Sequence, residues 1–153
     1  MPTQQSFLAA ATEKAAADLA KAFVTLPEDK RLWQPAEATR SAMDQVAECA
    51  LLASYTANLL HTRQWPDGQF DLFFDEKAEL VMQGWEELHP RLIENAGRVA
   101  AAIAAVPDSD LTDEIEMPWG KQSVDELLAY SYWNLTYHLG QVNYIASLLG
   151  TLD

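Results

Sequence analysis

Residues 123–150 read SVDELLAYSYWNLTYHLGQVNYIASLLG, a long helix without a charged face after its first turn. Ser123 followed three residues later by Glu126 forms a capping box, in which the hydroxyl and the carboxylate each serve a backbone N–H of the first helical turn. Gly150 suits the left-handed position just past a helix C-terminus. From Leu127 to the end of the stretch there is no Asp, Glu, Lys or Arg. A surface helix carries a charged face, so a long helix without one is expected to be covered on more than one side. Its polar residues Ser131, Asn134, His138, Gln141 and Asn143 are too many for a membrane span. The segment is therefore read as the central helix of an all-α bundle that also packs at a subunit interface, in a homodimer.

The flanking sequence supplies the other helices. The chain holds 24 Ala and 20 Leu against 7 Val and 4 Ile, a ratio that favours helix because β-branched residues lose χ1 freedom there. A first helix is predicted over 3–24, with Phe7, Ala11, Leu19 and Phe23 along a loose stripe and Pro27 closing it. A second runs over 41–61, from a weaker capping box of Ser41 and Asp44 to the turn Trp65-Pro66-Asp67-Gly68. A third spans 71–106, where Val81, Trp85, Leu88, Leu92, Val99, Ile103 and Val106 form a heptad-like seam. Pro90 lies inside that seam, so the segment is either kinked there or is two helices meeting near 84–90. Residues 115–120, IEMPWG, read as extended or turn-like. Four such helices predict a four-helix bundle in a single domain over 1–153. The connections over 25–40, 61–72 and 107–122 exceed those usual between antiparallel neighbours, which implies long crossovers.

Composition narrows the class. The net charge of −13 argues against a nucleic-acid partner and against anionic lipid, both of which call for basic residues. The 49% hydrophobic content argues against disorder. The N-terminal segment lacks a basic region and is interrupted by Glu13 and Lys14, unlike a signal peptide. The longest apolar run, 99–106, is too short to cross a bilayer. A lone Cys49 excludes an internal disulfide framework. These features predict a cytoplasmic protein without a membrane partner. The acids cluster over 67–87 and 108–126, which are read as solvated faces.

Chemistry concentrates on two helices. Asn134, His138, Gln141 and Ile145 share one face of the last helix. Glu48 is an acid in the body of the second helix, with Asp44, Gln45, Leu51, Leu52 and Tyr55 as neighbours on its face. A buried carboxylate needs a partner, and His138 is the candidate. Their pairing is read as a structural hydrogen-bond network, as a metal site of inward-facing ligands, or as a general acid/base pair. Tyr55, Trp133, Tyr137 and Gln141 are candidate pocket residues around it. Cys49, about 100° around the helix from Glu48, is read as a buried, inert thiol. His61 and His89 are expected to be exposed.

Residues 137–150, with Tyr137-His138-Leu139-Gly140-Gln141-Val142-Asn143-Tyr144 and then Leu149-Gly150, resemble the C-terminal signature of the DinB/YfiT-like superfamily. That signature is a His, three residues, a His, one residue, then Gly-Gln. Trp33-Gln34-Pro35 followed by Ser41 through Glu48 resembles the first motif, a tryptophan ahead of a helix-capping Ser and a ligand His seven residues on. Met117-Pro118-Trp119-Gly120 looks like the loop before the last helix. The resemblance implies a four-helix bundle, often dimeric, holding zinc or nickel on three side chains. It also implies thiol S-transferase or hydrolase chemistry. Glu48 and Asn134 stand where the family has His, and only His138 matches, so the resemblance implies a degenerate metal site at Glu48, Asn134 and His138. The alternative is a non-catalytic, small-molecule-binding or stress-related bundle that has lost the metal.

Overall fold

Helix starts follow the capping residues closely. The computed structural model describes residues 1–152. The Thr3 hydroxyl accepts from the Ser6 N–H at 3.1 Å and opens α1 (Gln4–Val24). The Ser41 hydroxyl accepts from the Asp44 N–H at 3.2 Å and opens α2 (Ala42–Thr62). The Asp44 carboxylate is bound elsewhere, by Arg40 and Lys77, which corrects the reading of a box at this end. Before the last helix, Glu126 accepts from the Ser123 N–H at 3.1 Å and closes the capping box of α5 (Val124–Leu148). At its far end Gly150 has φ 69°, the Gly150 N–H reaches Ser147 O at 3.2 Å, and the Thr151 N–H reaches Ala146 O at 2.9 Å. These two bonds close the orphan carbonyls of a helix end in the Schellman manner.

The long third segment is two helices, α3 (Gln69–Gln83) and α4 (Trp85–Ala104). The break is Gly84, at φ 83° and ψ −176°, a conformation that essentially only glycine adopts. Pro90 is exposed inside α4 and removes one backbone bond without ending the helix. Leu88, Leu92, Val99 and Ile103 of the predicted seam are fully buried, whereas Val81 and Trp85 flank the break half-buried. The extended reading of 115–120 becomes an antiparallel hairpin of β1 (Glu114–Met117) and β2 (Gly120–Ser123), with Met117 opposite Gly120.

Packing explains the long connections. α1 contacts α4 and α5, and α2 contacts the same two helices. Helices α1 and α2 are thus diagonal across the bundle, as are α4 and α5, and the connections over 25–41 and 105–123 pass from corner to opposite corner. α3 lies outside these four, against α2 and α4, with only Leu80 buried. The protein is all-α apart from the hairpin, with a fifth helix laid on a four-helix bundle.

Leu128, Leu135 and Val142 of α5 are fully buried. Yet Trp133, Tyr137, Tyr144 and Leu148 on its other side are half or more exposed, so the chain itself covers α5 on one side only. Among the described residues no helix is long and apolar enough to cross a membrane.

Candidate functional site

The second turn of α2 points Glu48 at α5, and α5 answers with Asn134 and His138 one helical turn apart. Glu48 Oε1 accepts from His138 Nε2 at 2.9 Å and from Asn134 Nδ2 at 3.4 Å. Glu48 Oε2 accepts from Arg40 Nη1 at 2.7 Å. Arg40 also donates from Nε to Asp44 Oδ2 at 2.5 Å, and Asp44 Oδ1 takes Lys77 Nζ of α3 at 2.9 Å. On its far side His138 Nδ1 lies 2.9 Å from the amide oxygens of both Gln45 and Gln141. A ring carrying hydrogen on both nitrogens satisfies Glu48 and these amides together; a neutral ring donating to Glu48 requires one amide to turn its NH2 toward Nδ1.

The structure thus brings Glu48, Asn134 and His138 together and adds Arg40, Gln45 and Gln141. Sequence reasoning passed over Arg40. Its signal was the spacing Arg40, Asp44, Glu48, which at intervals of four residues aligns a cation with two acids on one side of a helix start.

The electrostatics follow from the contacts. Burial opposes ionisation of Glu48, but the hydrogen bond from His138 and the charge of Arg40 outweigh it and hold the carboxyl down at about 2. Burial likewise opposes the charge on Arg40, and the hydrogen bond to Asp44 with the charge of Glu48 reverses the effect and raises it. Cys49 is buried, its Sγ 4.0 Å from Asn134 O, and burial pushes the thiol up, as its reading as an inert side chain requires. His61 and His89 are exposed and take no part in the network.

A zinc or nickel ion fits this donor set poorly. Glu48 and His138 are ordinary ligands for these ions, but Asn134 offers a neutral amide better suited to harder cations. Both Glu48 oxygens and His138 Nε2 already bind one another, Asn134 or Arg40. The Arg40 guanidinium also places a fixed positive charge against the carboxylate that a divalent ion would need.

Two cavities meet at the network. One, of about 320 Å³, is lined by Glu48 and is mainly apolar and rich in aromatic side chains. Tyr55 of α2, Phe70, Phe73 and Phe74 of α3, Trp119 of the hairpin and Tyr130 of α5 wall it, with Trp65 from the preceding turn. Trp65 and Trp119 meet edge to face at 5.2 Å and 73°. The Tyr55 hydroxyl donates to Glu76; burial first, and then this bond, push the phenol up. The other cavity, of about 510 Å³, is lined by Arg40, Gln45, Tyr137, His138, Gln141 and Tyr144.

The expected pocket residues are therefore divided. Tyr55 lines the first cavity, Tyr137 and Gln141 the second. Trp133 lines neither; being next to Asn134 on the helix turns it outward, where it is exposed and stacks on Tyr137 at 5.5 Å. Tyr130, one turn earlier, holds the inward position. The aromatic wall from α3 and the hairpin was not foreseen, although Phe70, Phe73 and Phe74 at one-turn spacing in an otherwise acidic segment carry its signal.

No curated protein sequence matches the chain. The sequence profile of the DinB superfamily matches residues 11–142, a span that runs from α1 through Arg40 and Glu48 to His138, and the chain belongs to the DinB superfamily.

Proposed function

We propose that this DinB-superfamily member binds a small, mostly apolar molecule in the aromatic cavity and does so without a metal. The observation that carries this reading is the 2.7 Å ion pair of Arg40 Nη1 with Glu48 Oε2, which supplies from the chain itself the positive charge that a metal would otherwise provide. The cavity has the composition of a ligand site, apolar walls with a few placed polar groups. The Glu48–His138 pair is poorly set for general-base catalysis. A general base works best with a pKa near the operating pH, and a carboxylate held at about 2 is a weak one at neutrality. The reading assigns the protein to the cytoplasm, with which its single buried thiol is compatible.

The rival is a zinc- or nickel-dependent thiol S-transferase or hydrolase using Glu48, Asn134 and His138. Metal analysis after incubation of untagged protein with excess zinc or nickel, followed by gel filtration, separates the two. The proposal expects no retained metal in the wild type, together with saturable quenching of tryptophan fluorescence by a neutral aromatic probe such as naphthalene. Stoichiometric metal that is lost in His138→Ala overturns it.

A further inference from the structure

We infer that the cavity beside Glu48 takes a hydrophobic organic cation, an aryl- or alkylammonium, and turns away anions. This rests on the reading of that cavity as a ligand site and specifies the charge of the ligand. Three observations carry it. First, among the described residues, the only charged side chain lining the cavity is Glu48. Arg40, which pairs with Glu48 Oε2, lines the second cavity and not the first, so Glu48 is the one member of the network that borders the aromatic cavity. Its oxygens are bound by His138, Asn134 and Arg40, and an ammonium held on ring faces, unlike a metal ion, needs no direct bond to them. The phenols of Tyr55 and Tyr130 are both raised, the latter to about 12 by burial and then by the charge of Glu48, so neither adds a second anion.

Second, seven aromatic side chains share the walls with aliphatic ones. Aromatic faces attract cations, most strongly where water is excluded, and rings set edge to face, as Trp65 with Trp119 and Tyr55 with Phe73 are, present faces in more than one direction. Phe73 and Phe74 already accept one cation: Lys77 Nζ lies 5.8 Å from each centroid. That ammonium is itself taken up by Asp44 and does not line the cavity. Third, the net charge of −13 raises the local concentration of cations and lowers that of anions around the whole molecule.

The test titrates untagged full-length protein with three probes of similar shape: benzyltrimethylammonium, its neutral carbon analogue neopentylbenzene, and phenylacetate. Binding is followed by tryptophan fluorescence and by calorimetry. The ammonium is expected to bind at least about tenfold more tightly than the neutral analogue, and phenylacetate not to saturate. Glu48→Gln is expected to cut the preference for the ammonium over the neutral analogue to about twofold, leaving the neutral analogue's affinity in place. Trp119 is 60% exposed at the hairpin turn and packs on Trp65 and Phe70; Trp119→Leu keeps an apolar side chain there and is expected to weaken the ammonium several-fold more than the neutral analogue. Equal binding of ammonium and neutral analogue by the wild type overturns the inference and leaves the cavity a ligand site. Absence of binding by all three overturns both readings.

Discussion

Glu48 carries a charge at a place that would refuse it if it stood alone. Its side chain is 17% exposed, and its ionised form persists because His138, Asn134 and Arg40 all donate to it. Its folded value of about 2 lies below the ordinary 4.5, so the unfolded chain binds the proton more readily. The resulting stabilisation is complete above about pH 4.5 and is lost as the pH falls toward 2. Discounted for partial exposure, it is about 1–2 kcal/mol. In Glu48→Gln this acid-dependent part should vanish, so that urea midpoints of wild type and variant converge between pH 5 and pH 2. A constant difference across that range would show that the carboxylate is not held by its neighbours in this way. His138 was legible in the sequence because it is an isolated titratable group on an uncharged helix, and Glu48 because it is an acid inside the helix body where burial demands a partner. Arg40 was not, because a cation just ahead of a helix ordinarily reads as solvated surface.

At the scale of elements, Gly84 decides whether residues 69–104 make one helix or two. Its φ of 83° and ψ of −176° lie where any side chain is strained, yet a Cβ built there meets nothing within 4 Å. The expected effect of Gly84→Ala is therefore backbone strain alone, about 1–3 kcal/mol of lost stability. A lower urea midpoint with unchanged helical circular dichroism would match the strain. An unchanged or higher midpoint would mean that the break does not depend on glycine. Beyond this break α3 packs on α2, where Phe73 meets Tyr55 edge to face at 6.0 Å. The seam of Leu88, Leu92, Val99 and Ile103 was readable as a helix because its periodicity is local. The alternatives of a kink at Pro90 or two helices meeting over 84–90 stay open in the sequence, because proline disrupts a helix by sterics, whereas Gly84 permits a break that only the packing of α3 on α2 makes favourable.

For the whole molecule, the distribution of charge matters more than its sum. The acidic stretches at 67–87 and 108–126 are largely exposed, as expected. The outward side of α5 has no formal charge and leaves Trp133 55% and Tyr144 66% exposed, with Tyr137 and Leu148 between and beyond them. Two copies bearing −13 each repel everywhere except at such a neutral patch, and exposed aromatic patches of this kind mark interaction surfaces. We propose that this side of α5 forms a homodimer. Light scattering should give twice the 17.0 kDa chain mass, and Trp133→Glu with Tyr144→Glu should return it to one. A wild type with the mass of one chain at micromolar concentration removes the proposal.

Local physics controls the features that could be read along the chain. Ser41, Ser123 and Gly150 set helix ends because a cap bonds to backbone groups within a few residues, and the apolar seams set the buried faces because helical periodicity is a property of neighbours. The tertiary structure alone decided the rest. The diagonal placement of α1 and α2, the division between two cavities and the aromatic wall all depend on which distant faces meet. The Glu48–His138 bond joins two residues that the sequence names as candidate partners, but they lie 90 positions apart and only packing sets their geometry. Such pairings follow from the packing of the whole core, where every burial competes with every other, and no single stretch of the chain encodes them.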